Sequence, residues 1–464
     1  MKRLLIKWHR RVGLFILIPL LMFSLSGLLH PLMRLTAAPI AQRALPQEPW
    51  QQVGALDATL QSDALPSIVS GIRPVQLDGQ ATLQVWHSPS EASSFWDAQG
   101  HRIPDGAREY AVQSARVYAG EHKAQVNSVT LITQFSDQYQ PIHRILPVFE
   151  VRFDREDGLT AYVDIRHDRL VALENQTRRN LMGWFRALHT WSFLQPDSPL
   201  RTPLLLGLSG LCGVMGLSGL YLYGVLPIRK RKKAKLAKTH VYTGVFISVA
   251  LLMFSSSGLI KTWEKQTPEQ RGIRVDQSVQ RADIRIGFAA LQAQFPAITN
   301  AVIHTLGSEP VWQIMMGRAP GQWVSAVDGR VLPDLDRHFA LSLVSAAKVN
   351  VDAQITTQWV TRFNQHPDYG FIDKRLPVMA LEDGTRTVFV DVRDAVISVV
   401  AHKEDRWFTW VFRYLHKWRF LDGLGKNGRD AVMAVFILGV ASTALLGGVM
   451  WWRRTRKRRL SGTQ

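Results

Sequence analysis

Four stretches of the chain, 12–29, 202–228, 241–260 and 431–452, contain no charged residue and are dominated by apolar ones. At 1.5 Å of rise per residue each is long enough to cross a hydrocarbon layer about 30 Å thick. A backbone in lipid must satisfy its own hydrogen bonds, so runs of this kind have to be helices. The chain is therefore expected to be an integral membrane protein with four transmembrane α-helices, and a single water-soluble fold is excluded.

Charge orients these helices. The 464 residues include 56 Lys and Arg against 37 Asp and Glu, a net charge of +19. Such an excess in a soluble protein would suggest a nucleic-acid face. Here 18 of the 19 excess charges sit in three blocks, 1–11, 229–238 and 453–459, none of which contains an acid. Each block abuts an apolar run. Basic flanks mark the cytoplasmic side, so both termini are expected inside, with stretches of about 170 residues outside after the first and third helices. The basic blocks would touch anionic lipid of the bilayer, and no nucleic acid is expected as a partner. The first helix has a basic start and small residues near Ala37, as a signal peptide does, but its length and its internal repetition favour a retained span. One cysteine, Cys212, lies in the second span, so no disulfide is expected, and without C-x-x-C-H no haem can be attached covalently.

The chain repeats itself. The run from Trp8 aligns with the run from Thr239, matching His9 to His240, Gly13 to Gly244, Met22-Phe23 to Met253-Phe254 and Ser26-Gly27 to Ser257-Gly258. Further on, 185–194 and 412–421 share seven of ten residues, including His189 with His416. Asp157-Gly158 and Asp164 recur as Asp383-Gly384 and Asp391. The expected architecture is a tandem-duplicated 2+2 bundle whose halves are related by a pseudo-twofold along the membrane normal.

The expected divisions are a cytoplasmic start (1–11), a first span (12–30), a first outer domain (31–180), an amphipathic pre-membrane segment (181–199) and a second span (200–228). After a basic loop (229–239) the order repeats: a third span (240–261), a second outer domain (262–406), a pre-membrane segment (407–429), a fourth span (430–452) and a basic tail (453–464). The outer domains read as α+β. Alternating strands around Asp157-Gly158 and Asp383-Gly384 predict hairpins, and a helical pattern over 49–60 precedes the first strands.

Of 14 histidines, four occupy matched positions: His9 with His240 at the inner mouth, and His189 with His416 at the outer one. Ionisable residues at membrane depth are costly and point to function. Two imidazoles from related helices are what a b-type haem iron needs for six-coordinate ligation. Arg186 and Arg413 stand three residues before His189 and His416, on the same helix face, where they could meet propionates. Lys7, Arg10 and Lys238 could do so for the inner pair. Trp191, Phe193, Trp418 and Phe420 offer apolar walls, and the Ser-Gly steps permit close approach. Zinc would need a further ligand nearby, and none recurs in both halves. The bland alternative makes the histidines interfacial anchors. His30 has no counterpart, since Lys261 stands at its place, and is a weaker candidate for a ligand or electron-path role. The other nine histidines, His87, His143 and His366 among them, are expected at the surface or in hydrogen bonds, and Asp164 and Asp391 as structural acids ending hairpin strands.

These features resemble a known family of bacterial PepSY-associated transmembrane proteins, also called iron-regulated membrane proteins. The likeness rests on Trp8-His9-Arg-Arg-Val-Gly13-Leu, Leu188-His189-x-Trp191, Leu415-His416-x-Trp418, Gly219-Leu-Tyr-Leu-Tyr, Gly448-Val-Met-Trp-Trp and the Asp-Gly hairpins. The family includes siderophore reductases of the ferrioxamine-reductase type. The resemblance implies two α+β PepSY-like periplasmic domains on an inner-membrane bundle, two non-covalent haem b groups and His9, His189, His240 and His416 as the iron ligands. It also implies a ferric siderophore as substrate and a quinol or cytoplasmic electron donor, and so an oxidoreductase. Two other readings stay open: a membrane protein whose PepSY-like domains bind a periplasmic partner without redox activity, and a cytochrome b subunit feeding a separate reductase.

Overall fold

The computed structural model describes residues 2–88, 91–195, 198–225, 235–264, 270–317, 321–352 and 354–461. Among the described residues eleven α-helices run in chain order. Helices α1 (Lys2–Phe15) and α2 (Leu17–Leu35) open the chain, followed by α3 (Leu56–Gln61) and α4 (Gly106–Ala119). Then come α5 (Gln176–His189), α6 (Arg201–Val225), α7 (Lys235–Glu264), α8 (Phe288–Gln294), α9 (Leu335–Ala346), α10 (Arg406–Val411) and α11 (Gly425–Ser461). They divide between two compact units, a helical one (1–37, 177–268, 405–464) and a sheet-bearing one (38–176, 269–404).

In the helical unit, α2, α6, α7 and the segment containing α11 are long and apolar enough to cross a membrane. Their buried share is low, between 17% and 28%, so most apolar side chains face outward, as lipid requires. Helix α6 packs on α7, and α11 packs on both α2 and α7. Close approach is bought by glycine at Gly439, where a Cβ would lie 2.8 Å from Ile247. Of the two Ser-Gly steps, Gly27 faces Ile437 closely (3.1 Å from a notional Cβ) while Gly258 meets Ser209 only at 3.9 Å.

Two boundaries differ from the expected ones. The first span is broken at Ile16 (φ −88°, ψ 0°), because Pro19 has no N–H for the Phe15 carbonyl and its ring crowds that turn. The helix also extends back through the basic block to Lys2 and onward to Leu35. Likewise the tail over 453–459 is helical, being the end of α11: Lys and Arg are good helix formers, and their charge marks where the membrane ends rather than where the helix does. The basic loop over 229–239 falls mostly outside the described residues.

The sheet unit is built from both long polar stretches. Each contributes an antiparallel sheet, a helix and a second antiparallel sheet. Residues 71–103 form four strands and α4 follows; 126–174 then form a four-stranded meander with its middle hairpin around Asp157-Gly158. In the second stretch, 300–325 form three strands before α9, and a five-stranded sheet combines Arg271–Arg274 with strands over 356–402. Gly158 has φ +61°, as its turn needs. The helical pattern over 49–60 shortens to a single 3₁₀ turn at Val53–Ala55 and α3. The two stretches do not fold apart. Trp50, Leu56, Ile72 and Leu83 share one core with Phe288, Ile303 and Trp312.

A tight contact in this core supplies a stability test. Gly71 pairs across strands with Trp86, and a Cβ at Gly71 would fall 2.2 Å from the Trp86 indole. The ring cannot stay where it is, and overpacking of this kind costs about 1–3 kcal/mol. Gly71→Ala is expected to lower the unfolding free energy of the sheet unit by that amount, read as a lower urea midpoint with an unchanged slope of the transition.

Candidate functional site

The outer histidine pair is assembled twice over by the same parts. His189 is the last residue of α5, and His416 closes a π-helical turn over Phe412–His416, a local distortion common at functional positions. Two residues later Trp191 and Trp418 both adopt the left-handed region (φ 51° and 48°). That conformation costs a bulky residue of order 1 kcal/mol or more. It is held by stacking, of Trp191 on Phe23 (6.1 Å) and of Trp418 on Phe254 (5.3 Å).

Each imidazole lies flat on a phenylalanine one turn earlier, Phe185 for His189 and Phe412 for His416, both at 4.8 Å and 16°. Each also meets an edge-on ring, Phe23 at 6.1 Å or Phe254 at 5.8 Å. The two imidazoles face one another with centroids 6.0 Å apart and planes at 75°. Two nitrogen–metal bonds of about 2.0–2.1 Å, plus about 1.1 Å from nitrogen to ring centre on each side, sum to roughly 6.3 Å, so His189 and His416 are spaced as two residues that would hold one ion between them.

Hydrogen bonds assign the tautomers. Ser26 Oγ donates to the Phe23 carbonyl and so accepts from His189 Nδ1–H at 2.9 Å. Ser257 Oγ donates to the Met253 carbonyl and accepts from His416 Nδ1–H at 3.1 Å. Ser218 does the same for His9 at 2.8 Å while donating to Met215, and the Thr443 carbonyl accepts from His240 Nδ1–H at 3.1 Å. All four rings therefore place the lone pair on Nε2, the arrangement that metal-bound histidines use.

His9 and His240 stand on α1 and α7. Glycines face both: a Cβ at Gly219 would come within 3.7 Å of His9, and one at Gly447 within 3.4 Å of His240. The adjacent Gly448 faces Leu17 instead. Among the described residues, neither pair gathers a third ligating side chain, which suits two axial imidazoles better than a tetrahedral zinc site.

The remaining candidates take lesser places. His30 is edge-on to Phe185 at 5.4 Å, so it touches the ring on which His189 stacks and not His189 itself. Arg186 and Arg413 lie one turn before their histidines, as their spacing requires. Lys7, Arg10 and Lys238 are exposed. Phe193 and Phe420 pack against Trp191 and Trp418, yet stay 61% and 54% exposed. Sequence reasoning gave the serines only a steric role. Their signal was present, since Ser26 and Ser257 recur at matched positions.

The sheet unit carries a second polar concentration. Asp164, His167 and Asp394 have ligating atoms within 4.8 Å of one another. Arg169 pairs with Asp391 at 2.5 Å, Arg274 with Asp394 at 2.7 Å, and Arg375 with Asp394 and, at 3.5 Å, with Asp391. Burial pushes the three carboxyls up, but His167 and these guanidinium groups outweigh it and hold all three below the usual carboxylate range. Asp164 and Asp391 thus do more than end hairpins. Of the other histidines, His143, His304 and His366 are buried; His366 Nδ1 accepts from the Asp368 N–H at 3.2 Å, and His304 packs between Trp323 and Phe339.

Residues 73–297 match the family described as the PepSY-associated TM region. The chain contains a PepSY-associated TM region. With four helices suited to crossing a bilayer among the described residues, it is a multi-pass membrane protein. The match takes in α5, α6 and α7, and it stops short of α1, α2 and α11. No curated protein matches the chain.

Proposed function

We propose that this multi-pass membrane protein is an inner-membrane carrier of two haem b groups that reduces a ferric siderophore in the periplasm. The observation that carries the reading is the common tautomer of His9, His189, His240 and His416, each with Nδ1–H engaged and Nε2 left as the electron-pair donor. Haem held by two imidazoles supplies one-electron chemistry without an open coordination position. The serines and the Thr443 carbonyl fix the ring orientations, Phe185, Phe412, Trp191 and Trp418 keep water from the outer pair, and Arg186 and Arg413 are the candidates to meet propionates. Matched contacts in the two halves support a tandem 2+2 duplication. The basic blocks support cytoplasmic termini and a periplasmic sheet unit.

The substrate class follows from iron chemistry. Hydroxamate and catecholate oxygens are hard donors and hold Fe(III) far better than Fe(II), so one electron loosens the chelate and leaves the siderophore whole. A quinol or a cytoplasmic donor would supply that electron. A dithionite-reduced minus oxidised spectrum tests the haem, and ferrozine capture of Fe(II) from a ferric hydroxamate tests the reduction. The purified chain is expected to give sharp b-type bands and ferrozine colour. A colourless preparation would sink the reading, whereas haem without ferrozine colour would make the chain a cytochrome serving a separate reductase.

A further inference from the structure

The sequence repeat is tight around the outer histidines, and what differs there is charge. Residues 185–194 and 412–421 disagree at three of ten positions, and two of those put a cation where the first half has a hydroxyl, Lys417 for Thr190 and Arg419 for Ser192. Carried on at the same offset, Lys426 replaces Pro199 and Arg429 replaces Thr202. Residues 412–430 therefore hold five Lys and Arg against two Asp, while 185–203 hold two Arg against one Asp. Lys261 likewise stands where the first half has His30. Residues kept in both halves serve what the halves share, the axial imidazoles and the arginines beside them. Cations added by one half alone serve something that meets the protein from one side.

In the helical unit some of these charges are already answered. Asp422 takes Arg419 at 2.8 Å and also Arg429, and Asp430 lies between Arg34 at 3.4 Å and Arg429 at 3.7 Å. Lys261 pairs with Glu264 at 2.5 Å. Both aspartates are thus engaged by guanidinium groups, and Lys417 and Lys426, which are exposed, meet no carboxylate among the described residues. The Lys417 ammonium stands 5.0 Å from the centre of the Phe412 ring, and Lys261 approaches the same ring at 5.7 Å. That ring lies flat on His416, so the unanswered charge of Lys417 is one aromatic ring away from the outer pair. Topology gives no reason for it. Basic residues favour the cytoplasmic side, and with cytoplasmic termini, as proposed above, this rim is on the other side.

We propose that Lys417 and Lys426 form a one-sided rim that selects a ferric chelate of net negative charge, built on catecholate or carboxylate oxygens, over a neutral hydroxamate chelate. The inference rests on the ferric-siderophore reading and narrows its substrate class. Exposed ammonium groups act over a Debye length of about 8–10 Å at moderate salt and raise the local concentration of an anion before contact. Lysine suits chelates of varied shape, because it offers a point charge on a flexible stem where arginine offers a fixed planar fork. The electron step is unchanged: one electron from the quinol or cytoplasmic donor turns chelated Fe(III) into Fe(II). Anionic lipid phosphate is the competing occupant of such a rim.

Gallium(III) chelates separate binding from electron transfer, because Ga(III) has the charge of Fe(III) and is not reduced. Titration calorimetry of the full chain in lipid-free detergent should show gallium tris-catecholate or gallium dicitrate binding about 10-fold or more tighter than a neutral gallium tris-hydroxamate, with the gap closing as salt rises. Lys417→Gln and Lys426→Gln should each weaken the anionic chelate about 2- to 5-fold, and together about 10-fold. Both should leave the hydroxamate chelate and the haem content as they were. Equal affinities for anionic and neutral chelates overturn the proposal. So does anionic-chelate binding that the double variant retains in full, and a matching loss of binding to phosphatidylglycerol mixed micelles would then assign the rim to lipid. Loss of a haem in Lys417→Gln would make that lysine a propionate partner and overturns it too. A colourless protein that still prefers the anionic chelate supports the rim and sinks the haem reading alone; a haem-loaded protein that does not discriminate does the reverse.

Discussion

The purified chain is expected to carry two haems, and the His189→Ala/His416→Ala double variant one. Pyridine haemochrome against protein concentration measures this. The argument is geometric: the two imidazoles are 6.0 Å apart, so removing both leaves the outer position with no axial nitrogen, while His9 and His240 keep their own partners. His9→Ala/His240→Ala should remove the other haem, and both double variants should keep the sheet unit folded. A single His189→Ala should retain haem at reduced affinity with an open coordination position, so the reduced protein would bind carbon monoxide where the wild type does not. Ser26→Ala and Ser257→Ala should keep the stoichiometry at saturating haem but weaken retention about 10-fold, the usual effect of losing the partner that orients a ligating histidine. Two haems in both double variants would remove the basis of the reading.

The spans and the four histidines were legible because membrane helices announce themselves as uncharged runs, and because recurrence picks four histidines out of fourteen. The serines were visible but under-read, since a Ser-Gly step in a span looks first like a packing device. Only the structure shows Ser26 Oγ hydrogen-bonded to the His189 imidazole. The sheet unit was less legible for a different reason. Arg169, Arg375, Asp391 and Asp394 come together across sequence separations of up to 225 residues, by pairing and stacking of sheets, and no local pattern encodes such a meeting. His167 and Asp394 stand three residues after Asp164 and Asp391, a correspondence that becomes informative only once both aspartates are seen at the same cluster. The merging of two expected domains into one unit was hidden likewise, because strands buried on both faces, such as Gly71–Leu77, do not say which chain segment covers them.

Asp391→Ala is expected to be the most damaging single change in the sheet unit. Asp391 is fully buried, and it faces Arg169 at 2.5 Å and Arg375 at 3.5 Å. Removing it leaves two buried guanidinium groups short of a counter-charge, which costs about 3–5 kcal/mol. Replacing Arg169 by methionine in the same background should recover part of the loss, because an unbranched apolar group carries no charge to desolvate, but Arg375 remains and recovery should be incomplete. Acid should act in the same direction. The carboxyls of Asp164, Asp391 and Asp394 are held below their ordinary value when folded, so the unfolded chain binds protons first. The stability they provide is present above the unfolded pKa of about 3.9 and is lost as pH falls below it through the folded values. Hydrogen exchange across 378–402 in the full-length protein should therefore be flat from pH 7 to about 5, after correction for intrinsic rates, and should show weakening protection below about 4. Asp391→Ala should start from lower protection and show a shallower acid slope. Protection in Asp391→Ala equal to that of the wild type would mean that the cluster adds nothing to the stability of the sheets around it.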